Sequence, residues 1–391
     1  MKKIIIIFLS YILILFNSNV YANQKAKELK IGLLAPFSGD YKKLGDSLLL
    51  SIQLALDEIN DKKIKIIPRD SGSNDKAKLN KAINQIIDEG ASIIIGPMQD
   101  NFRGELNKYS EVIFLSLSNR EPEIRKNVIN IGISLESQLL AITKFLSEQK
   151  KNKTIIMYPK NQNAEIIEKK LNKKKLGAVK TFKYSPDPQI LTGEIETLTN
   201  YSQRKKNLEL RKKNLEIRKK KLKKKDDEQA VKELAKLEQL YTLGKVNFDS
   251  VIIIDFGNNL KSVLASLIFT DVDDEKVLIT TVNQWFDESI FYENSVKNLY
   301  YPSVNLKNFK KYNNNFFKSF ELKPNEITIL AYDALGLIYY VWKKNDGVNS
   351  INDFFIKEKI KGKIGTFHFK DGKVSQELKI YKTKNNKFIK N

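Results

Sequence analysis

The fold class is first indicated by the segment Leu29-Lys30-Ile31-Gly32-Leu33-Leu34-Ala35-Pro36-Phe37-Ser38-Gly39. Its first six residues are mostly apolar and predict a buried strand, and the Pro, Ser and Gly that follow predict a sharp turn. Residues 44–59 then place apolar side chains at steps of three and four, which predicts a helix with one apolar face. A buried strand followed at once by such a helix indicates a parallel α/β sheet.

The same alternation of short apolar runs and amphipathic stretches continues along the 391-residue chain. Further strands are predicted at 64–67, 92–95, 112–115, 128–131, 154–158, 178–184, 250–255 and 276–281. Further helices are predicted at 77–87, 139–146, 164–171, 260–269, 309–320 and 326–343. The chain is predicted to end in a hairpin of 365–370 and 377–383, joined through Asp371-Gly372. A chain of this length is more than one compact core usually holds, so two lobes are expected.

Residues 1–22 have the features of an export signal. Lys2 and Lys3 precede an apolar run over 4–16, and Ala22 is the small residue after which cleavage is expected. Thirteen helical residues span only about 20 Å, which is too short for a hydrocarbon core of about 30 Å. The protein is therefore predicted to be secreted to the periplasm without a transmembrane span. Because the chain has no cysteine, it is not expected to be a lipoprotein.

The net charge of +22 is unevenly distributed. Residues 204–225 hold thirteen Lys or Arg and two Glu, a net +11 that is half of the total. The remaining excess is dispersed, mostly as lysine, and arginine, which makes bidentate contacts with bases and phosphates, is scarce. Nucleic acid is therefore not an expected partner.

A Lys-rich helical insertion is predicted over 199–243. It contains three near-copies of one seven-residue unit, at 204–210, 211–217 and 218–224. Leu208 and Leu210 lie about 160° apart on a helix, so the repeat is predicted to lack a coiled-coil seam. We expect a long basic helix, a break near Asp226-Asp227 and a second helix.

The second helix of the insertion is predicted to carry an apolar stripe of Val231, Leu234, Leu237 and Tyr241. Two interpretations of the insertion stay open at this point. It is either a solvated segment without a function, or a docking arm for an anionic partner such as a membrane surface or a cell-wall polymer.

Several motifs, in order, resemble the type I periplasmic solute-binding proteins, the leucine/isoleucine/valine-binding family. They are the opening stretch, Leu54-Ala55-Leu56-Asp57-Glu58-Ile59-Asn60, Ile93-Ile94-Ile95-Gly96-Pro97, Ser116-Leu117-Ser118-Asn119, Tyr332-Asp333-Ala334-Leu335 and Gly362-Lys363-Ile364-Gly365-Thr366-Phe367-His368-Phe369. The resemblance runs from Leu29 to the C-terminus except for the insertion. The most similar subgroup is that of the penicillin-binding protein activators, which share this fold.

The resemblance implies an α/β protein with two Rossmann-like lobes, each with a parallel sheet. Lobe 1 would comprise residues 28–133 and 304–358, and lobe 2 would comprise residues 134–303 and 359–391. The lobes of this family close on a ligand held in the cleft between them, a hinge motion that ligand contacts stabilise.

Ligands of open α/β sheets bind beyond the carboxyl ends of the strands, and this rule selects candidate residues. In the first lobe they are Ser38, Gln99, Asp100, Ser116 and Ser118. In amino-acid-binding members the loop at 96–101 carries hydroxyl side chains that hold the ligand carboxylate. Asp100 would repel a carboxylate, and it is alternatively a helix N-cap. Ser118 matches a hydroxyl position of the family, and loop capping is its alternative role.

The second lobe contributes Asn163, Asp255 and Trp285 to the candidate site. Asn163 and the following alanine replace a tyrosine-glycine pair that is common in the family. Asp255 follows a predicted strand and could accept a hydrogen bond from an ammonium or hydroxyl group. Trp285 could cover an apolar or ring face of a ligand, and core packing is its alternative role.

Motifs of catalysis are missing from the sequence. The single histidine, His368, lies in an alternating strand with no cysteine or metal-ligand spacing near it. No Gly-x-Ser-x-Gly, phosphate-loop or His-Glu-x-x-His motif is present. The protein is therefore predicted not to be an enzyme and to need no cofactor or metal.

Two functions from different classes are carried forward. The first is the periplasmic binding component of an ABC transporter, which delivers a small polar, amino-acid-like ligand to an inner-membrane permease. The alternative is a non-catalytic regulator of peptidoglycan synthesis that acts by protein–protein interaction with a cell-wall synthase.

Overall fold

The structure is a computed structural model that describes residues 28–72, 75–98, 103–118, 124–161, 164–173, 180–221, 228–272, 274–284, 297–370, 373–384 and 387–391. The predicted signal peptide (1–22) and the predicted turn pair Asp371-Gly372 lie outside these residues. Within the described part of the chain, no helix is both long and apolar enough to cross a membrane.

Strands and helices alternate along most of the described chain. The strands are β1 (Leu29–Ala35), β2 (Ile64–Asp70), β3 (Ile93–Ile95), β4 (Ile113–Ser116), β5 (Ile124–Arg125), β6 (Val128–Asn130), β7 (Thr154–Pro159), β8 (Lys180–Tyr184), β9 (Ser250–Ile253), β10 (Leu278–Thr281), β11 (Leu299–Ser303), β12 (Ile360–Lys361), β13 (Thr366–Lys370), β14 (Lys373–Glu377), β15 (Lys379–Lys384) and β16 (Lys387–Lys390). The helices are α1 (Lys42–Ile59), α2 (Lys76–Asp88), α3 (Arg103–Leu106), α4 (Leu135–Glu148), α5 (Ala164–Lys173), α6 (Pro188–Thr199), α7 (Tyr201–Lys221), α8 (Glu228–Glu238), α9 (Gly257–Phe269), α10 (Leu306–Phe320) and α11 (Ile329–Asn345).

The chain divides into two compact units. Unit 1 comprises Met1–Ser118, Glu123–Ile131 and Asn314–Ile356, and unit 2 comprises Asn119–Pro122, Gly132–Asn313 and Lys357–Asn391.

Unit 1 is built on a six-stranded sheet in the order β2-β1-β3-β4-β6-β5. All neighbouring strands are parallel except the short β5, which pairs with β6 in the antiparallel direction. One core cluster joins Leu34 of β1 and Phe114 of β4 to Ile83 and Ile86 of α2. The apolar face of α2 therefore packs on the sheet as its three- and four-residue spacing predicts.

Unit 2 is built on a seven-stranded sheet in the order β16-β15-β11-β10-β9-β7-β8. Side chains of β7 alternate between two separate cores: Ile155 and Met157 belong to one cluster, and Ile156 and Tyr158 belong to the other. Because successive side chains of a strand point to opposite faces, the sheet is covered on both sides. The predicted α/β class with two parallel-strand sheets is confirmed.

The prediction of the C-terminal hairpin was wrong in its second strand. β13 pairs with β14, whereas β15 pairs with β11 and β16 in the large sheet of unit 2. The predicted strand at 377–383 thus merged the end of β14 with most of β15. The short sequence Lys373–Glu377 has a charged residue at each end and only Val374 as an apolar residue, so its alternation was too weak to recognise.

The insertion contains two helices, α7 and α8, and the predicted break at Asp226-Asp227 lies outside the described residues. Its apolar contacts differ from the prediction. Leu208 and Leu215 are each only 4% exposed and pack with Leu237, whereas Val231 and Tyr241 are exposed. The repeat does form a seam, because Leu208 and Leu215 are seven residues apart and lie on one face of the helix. The prediction considered only Leu208 and Leu210, which are two residues apart, and so missed this relation.

Candidate functional site

A small cavity lies in unit 1 where the carboxyl ends of β1, β2 and β3 meet. It measures about 210 Å³. The residues that line it are Pro36, Tyr41, Leu44, Ser71, Gly72, Leu79, Pro97 and Met98. Each of the three strands ends immediately before one of these lining segments, so the topology brings the segments together. The cavity has the position at which parallel α/β sheets bind ligands.

Two glycines let the backbone segments around this cavity approach each other. A Cβ atom on Gly45 of α1 would lie 2.2 Å from the Pro36 carbonyl oxygen. A Cβ atom on Gly96, whose φ is +104°, would lie 2.3 Å from the Leu34 carbonyl oxygen. Both distances are far below van der Waals contact, so only glycine allows the first helix and the loop after β3 to pack this closely on β1.

Ser38 belongs to a charged network beside the cavity. The Lys78 ammonium donates to Ser38 Oγ at 2.7 Å and lies 2.7 Å from Asp70 Oδ2. Asp70 Oδ1 also accepts from the backbone N–H groups of Phe37 and Gly72. The network fixes the turn after β1 against the end of β2, so the hydroxyl of Ser38 is used within unit 1.

The ionisation of Asp70 reflects this network. Burial alone raises the pKa of the carboxyl group. The hydrogen bonds from Lys78, Ser38, Gly72 and Phe37 outweigh it and lower the pKa to about 2. Because the pKa is lower in the folded protein than in the unfolded chain, the resulting stabilisation is complete above about pH 4 and is lost as the pH falls toward 2.

Replacing Asp70 with asparagine should therefore lower the free energy of unfolding at pH 7 by up to about 2 kcal/mol, since a quarter of the side chain is exposed and screening limits the effect. The difference between the two proteins should shrink between pH 4 and pH 2. Urea denaturation at several pH values measures it. Asp88→Asn, at an exposed position of α2 in the same unit, is the control and should leave the free energy of unfolding at pH 7 close to that of the wild type. A deficit of Asp70→Asn that is constant down to pH 2 would contradict the assignment.

Ser116 and Ser118 lie at the end of β4 and are both buried. Ser116 Oγ donates to the Pro97 carbonyl oxygen at 3.1 Å and accepts from the Ser118 N–H at 3.3 Å. The Leu117 N–H also donates to the Pro97 carbonyl oxygen. Ser116 therefore supports the loop that forms one wall of the cavity, and its hydroxyl acts within the protein.

Asp255 of unit 2 follows β9 and is 7% exposed. Its Oδ2 accepts from the Tyr184 hydroxyl at 2.6 Å, and its Oδ1 accepts from the Phe256 N–H at 2.8 Å. Gln284, which follows β10, donates its amide to the Asp255 carbonyl oxygen. Burial and the hydrogen bond from its hydroxyl to Asp255 raise the pKa of Tyr184, so the phenol keeps its proton and donates it. Asp255 thus ties together the carboxyl ends of three strands of unit 2.

The structure gives these predicted residues distinct positions. Ser38 lies close to the cavity of unit 1 because it belongs to the network around Asp70, and Ser116 lies close to it because it donates to Pro97. Asp255 lies in unit 2. The predicted site residues Gln99, Asp100, Asn163 and Trp285 lie outside the described residues.

Sequence reasoning missed the apolar lining of the cavity. Leu44 and Leu79 lie in amphipathic helices, and their spacing predicts only that they face the sheet. Lys78 was missed as well, because only one feature of the sequence distinguishes it from the many other lysines. It lies three residues after Asp75, which caps α2 by accepting from the Lys78 N–H.

The base of the insertion borders a larger cavity of about 900 Å³ in unit 2. It lies at the amino ends of β7, β9 and β10, opposite to the end at which such sheets bind ligands. Two of its charged residues are already engaged. Asp249 accepts from the N–H groups of Asn152 and Lys153, and Arg204 donates to the Thr270 carbonyl oxygen. We therefore do not assign the candidate site to this cavity.

Comparisons with known proteins agree with the fold. Residues 28–173 match the family model described as periplasmic binding protein. No curated protein matches the chain in sequence. Many solved structures share the fold, among them both kinds of protein that the sequence resembles.

The chain is similar to the branched-chain amino acid transporter substrate binding protein LivJ from Streptococcus pneumoniae in complex with isoleucine, with 16% identity, a TM-score of 0.52 and coverage of 93% of this chain and 100% of that one. It is also similar to the C-domain of LpoA from Haemophilus influenzae, a regulator of PBP1A, with 12% identity, a TM-score of 0.58 and coverage of 93% and 99%. A putative branched-chain amino acid ABC transporter from Rhodospirillum rubrum matches with 10% identity, a TM-score of 0.65 and coverage of 93% and 100%. The predicted resemblance is confirmed, and these low identities show the fold alone.

Proposed function

We propose that this chain, which has the fold of the type I periplasmic binding proteins, is the periplasmic solute-binding component of an ABC transporter. The ligand is a small polar, amino-acid-like molecule whose apolar part enters the cavity of unit 1. The observation that carries the proposal is the cavity itself, which lies at the carboxyl ends of β1, β2 and β3.

The size and lining of the cavity suit a short apolar group. At about 30 Å³ for each water-sized atom, the cavity holds roughly seven non-hydrogen atoms. Leu44, Leu79 and Pro97 supply apolar walls, and Ser71 and Gly72 also line the cavity. Asp70 pairs with Lys78 next to these walls, so the two charges offset each other. Such a ligand would be held by its side chain, whereas amino-acid-binding members of the family hold the ligand carboxylate with hydroxyl residues. Asp100, which replaces those hydroxyl residues here, agrees with this difference.

The proposed role needs no chemistry from the protein. The family and the fold are those of non-catalytic binding proteins. The export signal at 1–22 would place the mature chain in the periplasm. Its proposed partners are the small ligand and an inner-membrane ABC permease.

Filling the cavity should weaken ligand binding. We expect Leu44→Trp to weaken the affinity for any ligand found in a thermal-shift panel of amino acids, short peptides and muropeptides by at least about tenfold. Isothermal titration calorimetry with the ligand that gives the largest shift measures the effect. The matched control is Leu322→Trp, which adds the same volume at a 55% exposed position of unit 1 and should leave the affinity unchanged. Equal affinities of the two variants would show that the ligand does not occupy this cavity.

A second function has specific support. Ser38, Ser116 and Asp255, three of the polar side chains predicted to bind a ligand, are already hydrogen-bonded within their own units. The likeness to the LpoA C-domain fits a regulator of peptidoglycan synthesis that acts by contact with a cell-wall synthase. If no compound of the panel raises the melting temperature while a transpeptidase co-purifies with both the wild type and Leu44→Trp, the regulatory function replaces the transport function.

A further inference from the structure

The seven-residue repeat of α7 places its residue types in two distinct stripes. The first and fifth positions of each unit form one stripe, which runs through Arg204, Leu208, Arg211 and Leu215. The third and seventh positions form the other. Since residues three and four apart lie on the same side of a helix, each stripe is continuous along the helix.

The first stripe faces α8. Leu208 and Leu215 pack with Leu237 in one apolar cluster, and Arg211 Nε donates to Glu233 Oε1 at 2.8 Å. At the base of the helices, the Leu243 N–H donates to the Arg204 carbonyl oxygen. The start of α7 thus lies beside the segment that follows α8, and the middle of α7 lies beside α8 itself, so the two helices are antiparallel. The first stripe is therefore fully used by contacts within unit 2.

The second stripe faces solvent, and we call it the outward stripe. It consists of five exposed residues at steps of four, three, four and three: Lys206, Leu210, Lys213, Ile217 and Lys220. Leu210 is 59% exposed and Ile217 is 42% exposed, and each lies between two lysines of the stripe. The stripe spans about 21 Å at 1.5 Å per residue.

We propose that the outward stripe of α7 is a docking surface for a membrane that contains anionic lipids. The three lysines lie beside the lipid phosphates, and Leu210 and Ile217 enter the boundary between headgroups and acyl chains. The alternation of apolar and cationic residues favours a lipid surface over an anionic polymer, because a hydrophilic polymer offers nothing to the two apolar side chains. Glu209 and Glu216 are the only acidic residues of α7, so the helix stays strongly positive.

The docking proposal does not depend on the cavity in unit 1, because the outward stripe belongs to unit 2. Arg204 fixes the base of α7 to the body of unit 2 through hydrogen bonds to Thr242 and to the carbonyl oxygens of Thr270 and Asp271. The outward stripe therefore projects from a firmly held helix. A protein docked in this way would stay near the membrane surface.

Flotation with vesicles of phosphatidylglycerol and phosphatidylcholine, against vesicles of phosphatidylcholine alone, tests the proposal on the full chain. We expect binding to the anionic vesicles only, and a loss of affinity of about 100-fold in Lys206→Gln/Lys213→Gln/Lys220→Gln, at about fivefold per lysine. Leu210→Gln/Ile217→Gln keeps every charge and should lose about tenfold, because it removes the apolar contribution. Circular dichroism checks that each variant keeps its helices. All variants share one N-terminus, so any contribution of residues 1–22 cancels.

The matched control removes the same charge elsewhere. Lys62→Gln/Lys81→Gln/Lys323→Gln alters three exposed lysines of unit 1 and should bind the anionic vesicles as the wild type does. Equal losses in the control and the stripe variant would overturn the proposal, because net charge alone would then explain binding. Unchanged vesicle binding of Leu210→Gln/Ile217→Gln, together with tight charge-dependent binding to polyphosphate, would also overturn it in favour of an anionic polymer.

Discussion

Replacing Arg204 with alanine should lower the free energy of unfolding by about 3–5 kcal/mol. The Arg204 side chain is 7% exposed, and its guanidinium donates to Thr242 Oγ1 at 2.7 Å and to the carbonyl oxygens of Thr270 and Asp271 at 3.0 and 2.9 Å. It also lies 3.5 Å from the Asp271 carboxylate. Without it, the acceptors on Thr242 and Thr270, which are both buried, lose their donor. Chemical denaturation followed by far-UV circular dichroism measures the change.

The repeat itself supplies the control for this prediction. Arg211 occupies the same position of the next seven-residue unit, but its side chain is 49% exposed and pairs with Glu233 at the surface. Arg211→Ala should therefore cost less than about 1 kcal/mol. Arg204→Met keeps the aliphatic stem and should lose nearly as much as Arg204→Ala, because the loss lies in the hydrogen bonds. Equal stabilities of the alanine variants at 204 and 211 would refute the role of Arg204 as an anchor.

Gly96→Ala should destabilise unit 1 by about 4 kcal/mol, since it combines two unfavourable terms. The φ of +104° is one that side chains rarely adopt, and the new Cβ atom would lie 2.3 Å from the Leu34 carbonyl oxygen. Neither atom can move without shifting β1 or the loop at Pro97. We therefore also expect the cavity of unit 1 to lose its shape and its ligand. Thermal and chemical denaturation measure the stability, and the thermal-shift panel measures binding.

Gly336→Ala is the matched control in the same unit. Gly336 lies in the middle of α11, and a Cβ atom there would meet nothing within 4 Å. The substitution should stabilise the protein by about 0.5–1 kcal/mol, because glycine is the poorer helix former. If Gly96→Ala proved as stable as the wild type, the close packing of the loop after β3 on β1 would be wrong.

Most of the fold could be predicted from local patterns. The apolar runs of β1, β3 and β7 and the three- and four-residue spacing in α1 and α2 each identify an element without reference to any other part of the chain. The insertion was also recognisable as two helices, because its composition changes abruptly. The failures were in pairing: the sequence around Glu377 could not show that β14 and β15 belong to different sheets.

The candidate site was less predictable than the fold. The rule that ligands bind at the carboxyl ends of strands selected the edge of the sheet at which the cavity of unit 1 lies, and Ser38 and Ser116 lie near that cavity. Their hydrogen bonds to Lys78 and Pro97 depend on segments tens of residues away, so no local pattern could show that the hydroxyls were already used. For the same reason Leu44 and Leu79 were predicted only as helix faces.

Local sequence patterns specify the α/β class, the alternation that produces two parallel sheets, and the concentration of charge in 204–225. These follow from composition and from periods of two and 3.6 residues, which are local properties of the chain. Tertiary contacts make Arg204 a buried anchor and leave Arg211 at the surface, although the two seven-residue units that these arginines begin are identical through their sixth residues. The difference arises because burial and hydrogen bonding depend on which distant segments, here Thr242 and Thr270, are brought against a side chain.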